Sequence, residues 1–202
     1  MRVPPRRVAD CPWYLRLFFW NQKRKYGRPL DAALLWARVP RLFLAVAALY
    51  GALDRRRSPV PARLRSLLTV RISQINHCPF CVDINAAIAA RRGLSDEKLE
   101  ALASWRESPL FDEQERAALA YAEDMTRSDR EVTDDTFAEL RRHFDEDGII
   151  ELTALIAFQN LSSKFNAALG VPPQGFCRLP LAGGSKEARR VTPSSARGRR
   201  RP

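Results

Sequence analysis

Apolar and polar positions along most of this chain alternate at helical spacing. Leu64, Leu67, Leu68, Ile72 and Ile75 recur at steps of three and four on one stripe, which predicts a helix opened by Pro61 at a favoured first-turn position. Its second half, TVRISQI, also alternates like a strand. Upstream, Pro40 followed by RLFLAVAALYGALD predicts a largely buried helix ending near Gly51. A helix starting at Cys78-Pro79 stops at Gly93, a typical residue just past a helix end. Ser95 then caps a helix whose first turn holds Asp96 and Glu97, favourable against the helix dipole. Asp112 with Glu115 three residues on forms a capping box before ERAALAYAEDM. Thr133 caps a short helix reaching Phe144, and the last long helix runs from about Asp147 to Leu169 and stops at Gly170. No convincing hairpin interrupts this series, so the expected fold class is all-α.

The two ends differ from this body. Residues 183–202, GGSKEARRVTPSSARGRRRP, hold almost nothing apolar to bury. They are expected to be a disordered Arg-rich tail, because no core contact offsets the entropy of ordering them. The first ten or so residues are similar. Trp13, Tyr14, Phe18, Phe19 and Trp20 then form an aromatic cluster among basic residues. Its first reading is an amphipathic arm packing on the bundle or on a neighbouring subunit; its second is a membrane-surface anchor. The expected organisation is therefore a basic, aromatic-containing arm over 1–28, a helical domain over 29–182 and the tail.

Composition narrows the class. A chain of 202 residues that is 46% hydrophobic and 28% charged suits one domain with a sizeable core. The longest apolar run, Leu42 to Leu53, is twelve residues, too short to cross a bilayer. The stretch Leu15 to Trp20 with Arg16 inside it makes a poor signal-peptide core, and four cysteines do not make a disulfide scaffold. The expectation is a soluble, cytoplasmic protein of a reducing compartment. The net charge of +11 points toward nucleic acid until its distribution is counted. Residues 1–30 balance to +7 and 183–202 to +6, whereas 31–182 carry nineteen basic and twenty-one acidic side chains. A basic face on a folded reader domain would lie in the middle, so nucleic acid is an unlikely partner.

Candidate chemistry is concentrated in ISQINHCPFCVDINAA, residues 72–87. Cys78 and Cys81, three apart at a helix start, place both sulfurs near one turn. Free N–H groups and the dipole there stabilise a thiolate, so at least one thiol is expected below the ordinary cysteine pKa of about 8.5. A thiolate beside a second thiol attacks a peroxide oxygen or a partner disulfide, and the second thiol resolves the product into an internal disulfide. Zinc would need a second close pair, and Cys11, His77, His143 and Cys177 are too scattered to supply one. A thioredoxin-like motif would follow a strand. Two buried structural cysteines remain the plain competing reading, against which Pro79 between them argues mildly.

RISQINHCPFCVDINAAIAARRG, ALASWRESPLFDEQERAALAYAEDMTR and FDEDGIIELTALIAFQNLSSKFNAALGV strongly resemble the carboxymuconolactone decarboxylase / AhpD-like alkylhydroperoxidase family, over roughly Arg41 to Val171. The resemblance implies an AhpD-like helical bundle, assembly into homo-oligomers, and thiol peroxidase or disulfide reductase chemistry at the cysteine pair. The substrate would be a hydroperoxide or a disulfide and the electron donor a dithiol, with no metal, haem or other cofactor. The family's peroxidase pattern places a relay Glu twelve residues before the first cysteine and a relay His four after the second. This chain has Ser66 and Asn85 there, and neither is a base at neutral pH. His77, where the family often has Gly, is the nearest imidazole and a stand-in candidate as base. The family pattern assigns attack to Cys81 and resolution to Cys78, leaving Asn85 to position the thiolate or a water. The alternative is a catalytically weakened family member acting as an interaction protein.

Other residues have plainer readings. Cys177 and Cys11 are expected to be partly exposed and inert. His143 reads as a helix-end cation, and Glu151 as a capping or surface residue. Asn160-Leu161-Ser162 matches a glycosylation sequon but falls within a helix and is dismissed.

Overall fold

The computed structural model describes residues 1–177 and 179, so the expectation for the tail 183–202 lies outside the described residues. Within them the chain forms nine α-helices, two short 3₁₀ turns and no strand, as the spacing predicts. The helices are α1 (Trp13–Tyr26), α2 (Asp31–Trp36), α3 (Pro40–Leu53), α4 (Ala62–Ile75), α5 (Pro79–Arg91), α6 (Asp96–Ala101), α7 (Glu113–Thr126), α8 (Asp134–Arg141) and α9 (Glu146–Ala168). The segment TVRISQI is helical throughout. Its alternation is overridden because α4 is the central helix, buried against α5, α7 and α9 at once. A helix covered on several sides needs no polar face.

The expected caps are in place. Ser95 accepts the Lys98 N–H at 3.2 Å, and Thr133 accepts that of Thr136 at 3.2 Å. Asp112 and Glu115 make the reciprocal pair, at 2.8 and 3.1 Å. Asp145 caps α9 through the Gly148 N–H. A Cβ at Gly148 would stand 2.9 Å from that capping oxygen, so a larger residue there would have to displace the cap.

Glu123 of α7 fastens the middle of the bundle. Its buried carboxylate takes Arg71 Nε of α4 at 2.7 Å, Trp105 Nε1 at 3.0 Å and Arg106 Nη1 at 2.6 Å. Burial opposes ionisation, but the hydrogen bonds from Arg106 and Trp105 and the Arg71 charge outweigh it and hold the carboxyl at about 2.

Three expectations are corrected. Helix α3 is apolar but not largely buried: only Phe43 and Leu53 are covered, while Leu42, Leu44, Leu49 and Tyr50 are exposed. It lies on α2 and α9 and touches α1 through Phe43, and these contacts leave one side of a helix that is hydrophobic all round uncovered. The first ten residues are not loose, because the Arg2 N–H donates to Leu169 O at 2.8 Å and the Arg6 guanidinium grips Asp10 O. Cys11 is buried rather than partly exposed, packed with Leu15, Phe19, Ala37 and Phe43. Burial pushes its thiol pKa up. Helix α1 therefore lies against α2 and α3, leaving Trp13, Leu17 and Trp20 outward.

Candidate active site

The site is built on the turn between α4 and α5. Asn76 ends α4, and His77 takes the chain through a left-handed conformation at φ 48°. Glycine adopts that conformation freely, a physical reason for the resembling family's glycine at this place. The turn delivers Cys78 as the N-cap of α5, its Sγ accepting the Cys81 N–H at 3.2 Å. Pro79 follows at the first helical position, where a missing N–H costs nothing. One turn places Cys81 Sγ on Cys78 Sγ, and the two are joined as a disulfide across a Cα–Cα separation of 5.2 Å.

The sulfurs are not equivalent. Cys78 is fully enclosed, whereas Cys81 forms part of the wall of a cavity of about 320 Å³. Aromatic and aliphatic groups dominate that wall: Trp36, Phe43, Tyr50, Phe80, Ile84 and Phe158, with Phe18 and Tyr26 contributed by α1. Trp36 stacks on Phe165 with ring centroids 3.5 Å apart and fixes α2 over α9. Lys25, itself exposed, is the one charged residue among the described residues of the lining.

Amides make up most of the polar part of the cavity. Asn166 of α9, 2% exposed, donates from Nδ2 to Cys81 Sγ at 3.3 Å. Its Oδ1 is buried without a partner among the described residues. Asn85 also borders the cavity, but its amide turns toward α4, donating to Ser73 Oγ at 3.1 Å and Thr69 O at 3.5 Å. Gln159 Nε2 reaches the same Ser73 hydroxyl at 3.0 Å. The Asn85 N–H, expected to position the Cys81 thiolate or a water, is directed at Ser73 and the Thr69 carbonyl rather than at Cys81 Sγ.

The other expected residues are dispersed. Ser66 is buried and accepts from Arg92 Nη1 at 3.0 Å, while Arg92 Nη2 spans both oxygens of Asp54 at 2.7 and 2.8 Å. Tyr50 donates to Asp54 at 3.3 Å. Ser66 therefore belongs to a cation-centred cluster and shares no hydrogen bond with Asn85. His77 is exposed, and its ring makes no hydrogen bond among the described residues. Cys177 packs on the main core rather than beside the pair. Its backbone N–H is held by Asp83 at 2.7 Å, and burial pushes its thiol pKa up. Glu151 accepts from Ser58 at 2.6 Å and from Arg55, and His143 pairs with Glu139 at 3.3 Å. Asn160 is committed to Thr126 and Asn76. Among the described residues no group of three or more His, Cys, Asp or Glu side chains is arranged to hold a metal ion, and no helix is long and apolar enough to cross a membrane.

Sequence reasoning missed Asn166. A signal for it exists: Gln159, Ser163 and Asn166 repeat at steps of four and three on a helix whose other buried positions are apolar or glycine. A polar stripe at the buried face of such a helix marks a place where hydrogen-bonding groups are needed.

Comparison with known proteins agrees with this fold. The sequence model of the carboxymuconolactone decarboxylase family matches residues 40–124. An uncharacterised protein of Escherichia coli K12, YnjA, is 44% identical over 180 residues, covering 89% of this chain and 98% of that one. The debrominase Bmp8, solved as a cysteine-to-alanine variant in complex with 2,3,4-tribromopyrrole, superposes with a TM-score of 0.76 at 26% identity, over 87% of this chain and 93% of that one. A protein of unknown function from Agrobacterium tumefaciens, ATU0492, suggested to be the antioxidant defence protein AhpD, superposes at 0.65 with 31% identity, over 68% of this chain and 94% of that one.

Proposed function

The chain belongs to the carboxymuconolactone decarboxylase family, and within that family we propose that it is a thiol peroxidase or disulfide reductase working through Cys78 and Cys81. One observation carries this reading: of two sulfurs close enough to bond, a single one, Cys81, lines a cavity. A substrate entering there meets Cys81 first. The Asn166 amide N–H lies on its sulfur, and a hydrogen bond to the charged form favours the thiolate. Cys78, behind it, resolves the product. In the return half-reaction a dithiol donor attacks Cys81 Sγ and Cys78 leaves as a thiolate. The Cys81 N–H already directed at the Cys78 sulfur, at the N-terminus of α5, makes it a good leaving group. With Ser66 and Asn85 in place of a proton relay, turnover is slow, since general-base help is worth about 10²–10⁴ in rate.

The test is hydroperoxide consumption with dithiothreitol as donor. Wild type should consume cumene hydroperoxide catalytically, and Cys81→Ser should lose the activity. With dithiothreitol removed after reduction, because it would itself reduce a sulfenic acid, Cys78→Ser should stop after one equivalent, with a dimedone-type probe labelling Cys81. Label on Cys78 in Cys81→Ser, with none on Cys81 in Cys78→Ser, would reverse the two roles. Failure of the wild-type pair to react with either hydroperoxides or disulfides would leave the interaction-protein alternative.

A second reading is favoured by the aromatic walls of the cavity and the likeness to Bmp8. Two thiols can reductively remove bromine from an aromatic ring, giving the ring C–H, bromide, a proton and the disulfide. Release of bromide from 2,3,4-tribromopyrrole, measured in the same assay, separates the two.

A further inference from the structure

We infer that the cavity beside Cys81 takes an arene carrying one negative charge, its flat body against the aromatic wall and its charge on Lys25 at the mouth. This names the substrate class of the site proposed above, and only what Cys81 then does to the bound molecule rests on that proposal.

Charge is spread unevenly around this cavity. Among the described residues its lining holds one cation, Lys25, and no carboxylate. Lys25 is exposed, so it stands where the cavity meets solvent. Its Nζ lies 5.1 Å from the centre of the Tyr26 ring, which belongs to the same lining. The exposed Arg91 guanidinium, at the end of α5, lies 5.5 Å from that ring. Neither cation is paired with a carboxylate among the described residues. Carboxylates on the neighbouring elements are committed elsewhere. Asp31 pairs with Arg28 at 3.6 Å, Arg92 Nη2 spans both oxygens of Asp54, and Asp83 takes the Gln174 and Cys177 N–H groups, each at 2.7 Å. Two cations against one ring, without a counter-charge, give the mouth a positive potential that attracts an anion.

The buried part of the wall has the opposite character. Phe43, Phe80, Ile84 and Phe158 are buried, and with Trp36 they border the space of about 320 Å³ that Cys81 also lines. Aromatic side chains reward a flat aromatic body through offset and edge-on contacts. A charge carried against them would lose its water with no counter-ion to replace it. One orientation satisfies both halves of the cavity: the ring inward, the negative group outward on Lys25. A cation in that orientation would be repelled by Lys25 and Arg91, and a neutral arene would leave the lysine unused.

The test is calorimetric titration of the full-length protein, its disulfide formed, with three naphthalenes of similar shape. Naphthalene-2-sulfonate is the anion, naphthalene-2-sulfonamide the neutral match and 2-naphthylmethylammonium the cation. The sulfonate should bind about 3- to 10-fold more tightly than the sulfonamide, between the worth of an exposed ion pair and that of a sheltered charge-assisted hydrogen bond. The cation should bind most weakly. Lys25→Met should abolish the preference while leaving sulfonamide affinity unchanged, and Lys25→Arg should keep it. Added salt should weaken the sulfonate alone. The four tryptophans report where the ring sits. In protein labelled with 5-fluorotryptophan, the fluorine signal of Trp36 in the cavity wall should move on binding, while that of Trp105 in the core stays. Movement confined to Trp13 and Trp20 would put the ligand on the outer apolar stripe of α1 and overturn the inference. So would equal affinity for sulfonate and sulfonamide, a preference that survives Lys25→Met, or no binding by any of the three. Binding is read on the oxidised protein, so those results leave the thiol chemistry standing. A cysteine pair inert to both hydroperoxides and disulfides would instead overturn the proposed function and leave the anion site intact.

Discussion

At the scale of single residues, the site differs from the pattern it resembles because its polar groups come from another direction. Ser66 lies with Arg92 and Asp54 rather than against the cysteines. A carboxylate introduced at that position would be held by the Arg92 guanidinium. The double substitution Ser66→Glu with Asn85→His should therefore raise hydroperoxide turnover by less than about tenfold, against the 10² or more expected of a working general base. Its pH–rate profile should gain no new limb near the histidine range of about 6.5, and a clear new limb would show that the two positions cooperate after all. The placement of the cysteine pair at a helix start was legible in the sequence because a helix N-terminus is encoded locally. The capping contacts of Ser95, Asp112 and Thr133 were legible for the same reason: each spans three residues. Asn166 was not, since it meets Cys81 across 85 residues of sequence and no local rule links the two. Nor was the burial of Cys11, which depends on α1 folding back onto α3.

At the scale of elements, α4 and α7 are joined by one ionic knot. The Glu123 carboxyl is held at about 2 against an ordinary value of 4.5. A group whose folded pKa is depressed contributes stability above its unfolded pKa and loses it as pH falls through the folded one. The contribution, about 3 kcal/mol by linkage, is therefore complete above pH 5 and disappears between about pH 4.5 and 2. Glu123→Gln should cost a comparable amount or more at neutral pH, because Arg71 is left buried without its counter-charge. Urea denaturation at several pH values should show the gap between wild type and variant narrowing across that acid window. A gap independent of pH would mean that the carboxylate charge contributes nothing and only its shape matters. The apolar composition of α3 was legible, but its covering was not. Periodicity reports which helices are hydrophobic and not how many neighbours each will find.

At the scale of the whole molecule, α3 and α1 present much of the exposed hydrophobic surface. Leu42, Leu44 and Leu49 of α3 are each more than 40% exposed, and Trp13, Leu17 and Trp20 lie on one outward stripe of α1. Such area is covered by another protein surface more often than it is left in water. Sedimentation velocity should accordingly give a species larger than the monomer, and Leu42→Glu combined with Leu49→Glu should shift it toward the monomer; a wild-type monomer at micromolar concentration would defeat that expectation. The cavity depends on an equally wide reach. Its walls run from Phe18 of α1 to Asn166 of α9, near opposite ends of the described chain. On a translating ribosome both cysteines emerge well before the helix that carries Asn166 exists. For that interval the pair has ordinary thiol reactivity, open to whatever oxidant is at hand. Its chemistry becomes private only once the final helix has closed over it.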